Sequence, residues 1–159
     1  AWGYLPADEQ RPASVHLARL PETKAAEGDA ALLERWSRMR VLRGEINKAV
    51  EAARKAGSLK SSLDGKALLV CSADDWDFLQ SFEGTLLDVL KVAGLERLDA
   101  AGEGGMSSEV VDGLWVKVEP SADTKCQRCW NRRPEVGSDS DHAELCERCV
   151  QVLAKSGKA

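Results

Sequence analysis

The stretch Cys126-Gln127-Arg128-Cys129-Trp130, answered after a polar, turn-rich interval by Cys146-Glu147-Arg148-Cys149, decides how this chain is read. Each Cys-x-x-Cys places two thiolates on one tight turn. Two such turns facing each other supply four soft ligands at about 2.3 Å around a single Zn²⁺, with no position left for water. A closed site of this kind organises structure and does not catalyse.

A pair of disulfides and a thioredoxin-like redox motif are the competing uses of these cysteines. Ala1 to Leu20 is broken by Pro6 and Pro12 and lacks the apolar core of a signal peptide, so an oxidising compartment is not indicated and the cytosol is expected. A redox pair would follow a strand and open a helix, whereas here two copies flank the loop from Asn131 to Asp141. Zinc is the reading that fits both pairs. His142 lies beside the second pair, but four thiolates already satisfy the metal, so a surface or supporting role is expected of it.

The remainder of the chain is soluble in character. The whole chain has 159 residues, 43% hydrophobic and 30% charged, enough for one ordinary domain or two small ones. No apolar run approaches the roughly 20 residues that span a bilayer. The net charge of −4 is unevenly spread: residues 1–60 carry 11 Lys and Arg against 8 Asp and Glu, residues 61–119 carry 4 against 12, and residues 120–159 carry 7 against 6. Acid is thus concentrated in the middle, while the mildly basic ends permit local phosphate contacts or are ordinary solvated surface.

Working towards the N-terminus, Leu114 to Val118 alternates as a strand leading through Pro120 into the first knuckle. Ala100 to Ser108, with three glycines, reads as a flexible loop. Leu86 to Val92 is expected as a second strand, with helix as its competitor. Asp74 to Phe82 carries Trp76, Leu79 and Phe82 at helical steps behind an acidic start, and Lys66 to Ser72 is a short buried strand whose Cys71 is a core residue. From Asp29 to Ala56 the apolar positions Leu32, Trp36, Met39, Ile46, Val50 and Ala53 form one helical stripe, with Asp29 as cap and Gly57 as terminator. One stripe does not stabilise so long a helix by itself, and a helix left from a bundle is the expectation. Its cations Arg35, Arg38, Arg40, Arg43, Lys48, Arg54 and Lys55 are either solvated decoration or a phosphate-facing surface. The first 28 residues, with Pro6, Pro12, Pro21 and Gly28, read as an extended arm. Trp2, Tyr4 and Leu5 want burial there, which suggests a chain that begins partway through a larger structure.

The expected fold class is therefore α+β: a long bundle-derived helix in residues 1–60, a small α/β junction domain in 61–119 and a four-cysteine zinc finger in 120–159. Catalytic machinery is not evident: there is no P-loop, no Gly-x-Ser-x-Gly and no dinucleotide fingerprint, and neither His16 nor His142 has a motif partner. Asp74, Asp75 and Asp77 are explained as an acidic helix start. Trp130, directly followed by Asn131, Arg132 and Arg133, sets an aromatic face among cations on a metal-rigidified turn, which suits unpaired bases; packing over the metal site is the equal alternative.

Val116 through Cys126 and Cys129 to Trp130, then Val136 and Gly137, then His142 through Cys146 and Cys149 to Val150, resembles the C-terminal zinc finger of bacterial isoleucyl-tRNA synthetases. Ser14 to Ala18 before Pro21, the helix with Trp36 and Arg43 to Ala53, and Ser58 to Val70 look like the end of the same family's anticodon-binding region; residues 99–112 are least similar. The resemblance implies a class I enzyme that activates isoleucine with ATP, transfers it to tRNA and edits misactivated valine. Its HIGH-like and KMSKS-like signatures are absent from this chain, so ATP belongs to the parent enzyme and no catalytic residue is assigned here. It implies Cys126, Cys129, Cys146 and Cys149 as ligands of one structural zinc, and Trp130, Arg132 and Arg133 as RNA contacts. It further implies isoleucine tRNA and the rest of the synthetase chain as partners, no membrane, a monomer and the cytoplasm. The runner-up is the DNA-binding finger of formamidopyrimidine-DNA glycosylases, similar in ligand spacing. Those enzymes use an N-terminal proline nucleophile, where this chain has Ala1, and lack the long helix. A protein-interaction module is the third reading.

Overall fold

The computed structural model describes residues 2–6, 8, 10–20 and 30–155. The long helix is present as α1, Ala30–Lys55. Asp29, expected to cap it, lies outside the described residues, as do Pro21 and Gly28 of the arm. Gly57 ends it as expected: at φ 76 it enters the left-handed region, its N–H donates to the Arg54 carbonyl, and the Ser58 N–H reaches back to Ala53. This is a Schellman stop, which glycine adopts without a Cβ clash.

Beyond α1 run β1 (Gly65–Val70), α2 (Ala73–Gln80), α3 (Leu86–Leu90), β2 (Gly94–Arg97), β3 (Met106–Ser107), β4 (Trp115–Pro120) and α4 (Glu147–Lys155). The four strands form one mixed sheet in the order β2-β1-β4-β3. β1 is parallel to β2, with Ala67 opposite Leu95, and antiparallel to β4, with Leu69 opposite Val116. As one of the two inner strands, β1 is buried along Ala67, Leu68 and Leu69, which explains an unbroken apolar run in place of alternation.

Two segments depart from expectation. Residues 86–90 are helical and 91–92 leave the helix, so the segment is not a second strand: Thr85 to Leu90 sit on a turn closed by the Val89 N–H to the Thr85 carbonyl and ended by Lys91 at φ 57. The second strand is instead β2, four residues long. The loop expected at 100–108 contributes β3, which pairs with β4 through Met106 opposite Val116.

One apolar cluster joins α1 to the sheet. Met39, Leu42, Ile46, Ala49 and Val50 of the helix bury with Leu69, Leu79, Leu90, Val92 and Val116. The stripe expected to need a missing bundle is therefore covered by this chain from Met39 onward. Its start is part-exposed, with Leu32 at 49% and Trp36 at 41%, the Trp36 ring meeting Phe82 edge-on at 5.5 Å. Arg35 and Arg38 fasten that start to α2. Arg35 lies 4.2 Å over the Phe82 ring and donates to the Ser81 carbonyl, while Arg38 lies 4.4 Å over Phe78 and pairs with Asp74 and Asp75. The acidic helix start thus serves α1. Ser72 also caps α2 by accepting from the Asp75 N–H.

In the arm, Trp2–Tyr4 and Val15–Leu17 are single 3-10 turns. The Trp2 indole N–H donates to the Pro12 carbonyl, whereas Tyr4 is 94% exposed, so burial expected for it is not met within the described residues.

Candidate metal centre

The first knuckle is a hairpin built on backbone hydrogen bonds. The Cys126 N–H donates to the Asn131 carbonyl at 2.9 Å, the Trp130 N–H to the Cys126 carbonyl at 2.9 Å and the Arg133 N–H to the Thr124 carbonyl at 3.1 Å. Lys125 and Arg132 pair as an antiparallel bridge below it. In the second knuckle the Cys149 and Val150 N–H groups donate to the Cys146 carbonyl, and the turn runs directly into α4. A cross-link from the Gln127 N–H to the Glu144 carbonyl holds the two turns face to face.

The four sulfurs lie within 4.8 Å of one another, and Cys129 Sγ is 3.7 Å from Cys146 Sγ. A tetrahedron with metal–sulfur bonds of about 2.3 Å has edges of about 3.8 Å, so this set fits one closed four-sulfur metal site. Cys126, Cys146 and Cys149 are buried and, among the described residues, Val136 and Leu145 are their apolar company besides Cys129. Electrostatics leads to the same conclusion. Burial opposes charge on Cys126, yet backbone N–H groups of Cys129, Cys146 and Arg128 bring its thiol down to about 6. Burial, and behind it the neighbouring thiols, push Cys146 up to about 12. Four thiolates this close require a cation among them, and the N–H donors, including Cys146 N–H to Cys126 Sγ at 3.4 Å, are placed to stabilise thiolate sulfur.

Trp130 does not cover the metal site. It is 64% exposed, and its backbone sits at φ 63, a left-handed conformation in which a bulky residue is rare. The two arginines after it turn inward. Arg132 Nε donates to Asp64 Oδ1 at 2.9 Å and its Nη1 to the Asp123 carbonyl at 2.8 Å. Arg133 Nη1 donates to the Ala93 carbonyl at 2.8 Å, with Asp88 3.8 Å from its Nη2. Both guanidinium groups, expected at an RNA surface, are engaged in docking the finger on the α/β unit. A cleft of about 810 Å³ remains between the two bodies, walled by Leu86, Leu87, Leu95, Asn131 and Arg148 among others.

Of the other candidates, His142 is absent from the sulfur cluster, and its backbone N–H donates to Asp139. His16 is exposed. Cys71 is buried in the main core, and burial pushes its thiol up, as befits an inert residue. On α1, Arg43 donates to the Val89 carbonyl, while Lys48 and Arg54 pair with Glu45 and Glu51 on their own helix. The residues sequence reasoning missed are Asp64, Asp88 and Arg148, the last pairing with Asp88 at 3.2 Å. Their partners stand 60 or more positions away in the cases of Arg148 and Arg132, so no local pattern announces them.

Among the described residues no helix is long and apolar enough to cross a membrane. Residues 124–152 match the family model described as the zinc finger found in FPG and IleRS. An isoleucine-tRNA ligase of Geobacter sulfurreducens is 35% identical over 152 residues, which are 96% of this chain and 16% of that relative. The corresponding ligase of Natranaerobius thermophilus is 36% identical over 99% of this chain and 17% of its own length, and that of Bordetella petrii 39% identical over 84% and 13%. The chain thus spans about one sixth of the length of these relatives. Its four-cysteine cluster at residues 126–149 included, the chain is similar over nearly its whole length to the C-terminal region of the isoleucine-tRNA ligases.

Proposed function

We propose that this chain helps recognise the anticodon arm of isoleucine tRNA, with one structural zinc held by Cys126, Cys129, Cys146 and Cys149, in service of ATP-dependent aminoacylation carried out elsewhere in the parent enzyme. The observation that carries the reading is Trp130: a large aromatic, 64% exposed, held at φ 63 on the metal-bearing turn. Left-handed backbone costs a bulky residue about 1–2 kcal/mol. Strain kept at an exposed position points to a use for the side chain. Stacking on an unpaired base, worth about 1–3 kcal/mol, is such a use.

Zinc supplies rigidity and no reaction chemistry in a closed four-sulfur site. The chain's own residues do the rest: the hairpin from Thr124 to Arg133 fixes the Trp130 backbone, and Arg132 and Arg133 fix the hairpin on the α/β unit, so that any contact they make to RNA is made while so tied. Binding energy gained here positions the tRNA so that its acceptor end reaches a remote catalytic site. In this reading residues 1–60, 61–119 and 120–159 serve as bundle end, junction and finger, and the chain works as a monomer in the cytoplasm with the rest of the synthetase as its partner. The similarity of residues well upstream of the finger to the ligases favours RNA over the DNA of the glycosylase fingers.

The test is binding of the zinc-loaded chain to isoleucine tRNA, a non-cognate tRNA and duplex DNA at about 0.15 M salt, where phosphate attraction is partly screened. Preference for isoleucine tRNA is expected. Equal, weak binding to all three would contradict anticodon reading by this chain.

A further inference from the structure

Two aspartates of the α/β unit receive the finger, and their placement has a direct bearing on Trp130. Asp64 stands immediately before β1, with its side chain 14% exposed. It accepts from Arg132 at 2.9 Å and lies 4.0 Å from the Lys125 ammonium. Lys125 and Arg132 are the bridged pair at the base of the first knuckle, so a single carboxylate holds both strands of the hairpin that carries Trp130. The Asp64 backbone joins in, its carbonyl accepting from the Ser121 N–H at the entry to the finger. Asp88, on α3, faces Arg133 of the first knuckle and Arg148 of the second.

The metal fixes each knuckle relative to the other, but nothing in a four-sulfur site fixes the finger relative to the sheet. The two apolar clusters do not merge, and an open cleft lies between the bodies. Orientation rests on the bonds that bridge this gap, among which the Arg132 ion pair is the shortest made by the two aspartate side chains. We infer that Asp64 is a positioning residue for RNA recognition, aiming the Trp130 ring by clamping the base of its hairpin, with Asp88 as a weaker second anchor. This rests on the reading of Trp130 as a base-stacking residue.

The inference has a sign that simple electrostatics does not share. Removing a carboxylate makes the surface less negative, which by charge alone strengthens binding of a polyanion. Loss of aim weakens it. The experiment is a double-mutant cycle on the zinc-loaded chain, with isoleucine tRNA as probe and zinc content and circular dichroism recorded for each variant. Asp64→Ala should weaken binding about tenfold, within the range of coupling inside one contact network, while keeping its zinc. In a Trp130→Ala background the same substitution should have no further effect, because there is no ring left to aim.

Unchanged or tighter binding by Asp64→Ala, or an equal loss in both backgrounds, overturns the inference. Should Asp64→Ala lose zinc or fold, Asp64→Asn is judged by the same two criteria, since it keeps the shape and removes the charge. If Trp130→Ala itself binds tRNA normally, the stacking reading fails and this inference with it. If Trp130→Ala is weakened and Asp64→Ala is not, only the positioning role fails.

Discussion

The two halves of this molecule are held together by different physics. The α1–sheet unit is an apolar core: Met39, Leu69, Leu79, Leu90 and Val92 are fully buried, and hydrophobic burial on that scale needs no ligand. Among the described residues the finger's apolar cluster has three buried members, all cysteines, with Val136 and Leu145 as its main apolar lining. A body so small cannot stabilise itself by burial, and a metal closes the deficit. What the difference teaches is a division of labour: a self-sufficient platform, and a metal-held tip joined to it by arginine–aspartate contacts.

The largest effect should come from breaking the metal set. Cys126→Ser removes a ligand from a site whose apparent contribution to small zinc peptides is about 10–16 kcal/mol, so the finger should unfold while α1 and the sheet remain. Metal analysis together with circular dichroism checks it. A variant that kept one metal per chain and an ordered finger would erase the contrast between the halves. The converse substitution, Leu69→Ala at the centre of β1, should destabilise the platform by about 2–5 kcal/mol in denaturant unfolding without lowering metal content. Parallel loss of metal would mean that the two bodies are one cooperative unit.

A subtler separation concerns Trp130. Glycine relieves the left-handed backbone, so Trp130→Gly should leave the metal-loaded finger equally stable or up to about 1 kcal/mol more stable. The same change should weaken tRNA binding by about 1–3 kcal/mol. Loss of finger stability would return Trp130 to a packing role.

The smallest effect belongs to the platform. Lys48 first, and then Ser108, hold the Glu45 carboxyl below its ordinary value of 4.5 against the opposing effect of burial. A lowered carboxylate contributes stability that is complete above its unfolded value and lost as pH falls through the lowered one. Glu45→Gln should therefore lower the platform's stability slightly at neutral pH, converge with the parent as pH falls, and so flatten the acid limb below about pH 4.5. An unaltered acid limb would remove Glu45 from the account.

Legibility in the sequence followed the same division. The cysteine spacing carried the whole four-sulfur cluster because its chemistry is written locally, in two Cys-x-x-Cys pairs. The helix and β1 were legible because a stripe and an unbroken apolar run are strong patterns. The second strand was not: Gly94-Leu95-Glu96-Arg97 has one large apolar residue and sits at the sheet edge, so its pairing with β1, including the Lys66–Glu96 ion pair, comes from tertiary context. Leu86 to Leu90, five apolar-rich residues, has no period long enough to separate strand from helix. The inward turn of Arg132 and Arg133 was illegible for a related reason, since their acceptors Asp64 and the Ala93 carbonyl are distant in the chain.

Amide hydrogen exchange on the metal-loaded chain, before and after a chelator, tests the central claim most directly. The account predicts that the amides of Cys126, Trp130, Arg133 and Cys149 lose protection when metal is withdrawn, while those of Leu68 and Leu69 in β1 keep theirs. Knuckle amides that stay protected without metal, or β1 amides that open together with them, would contradict it.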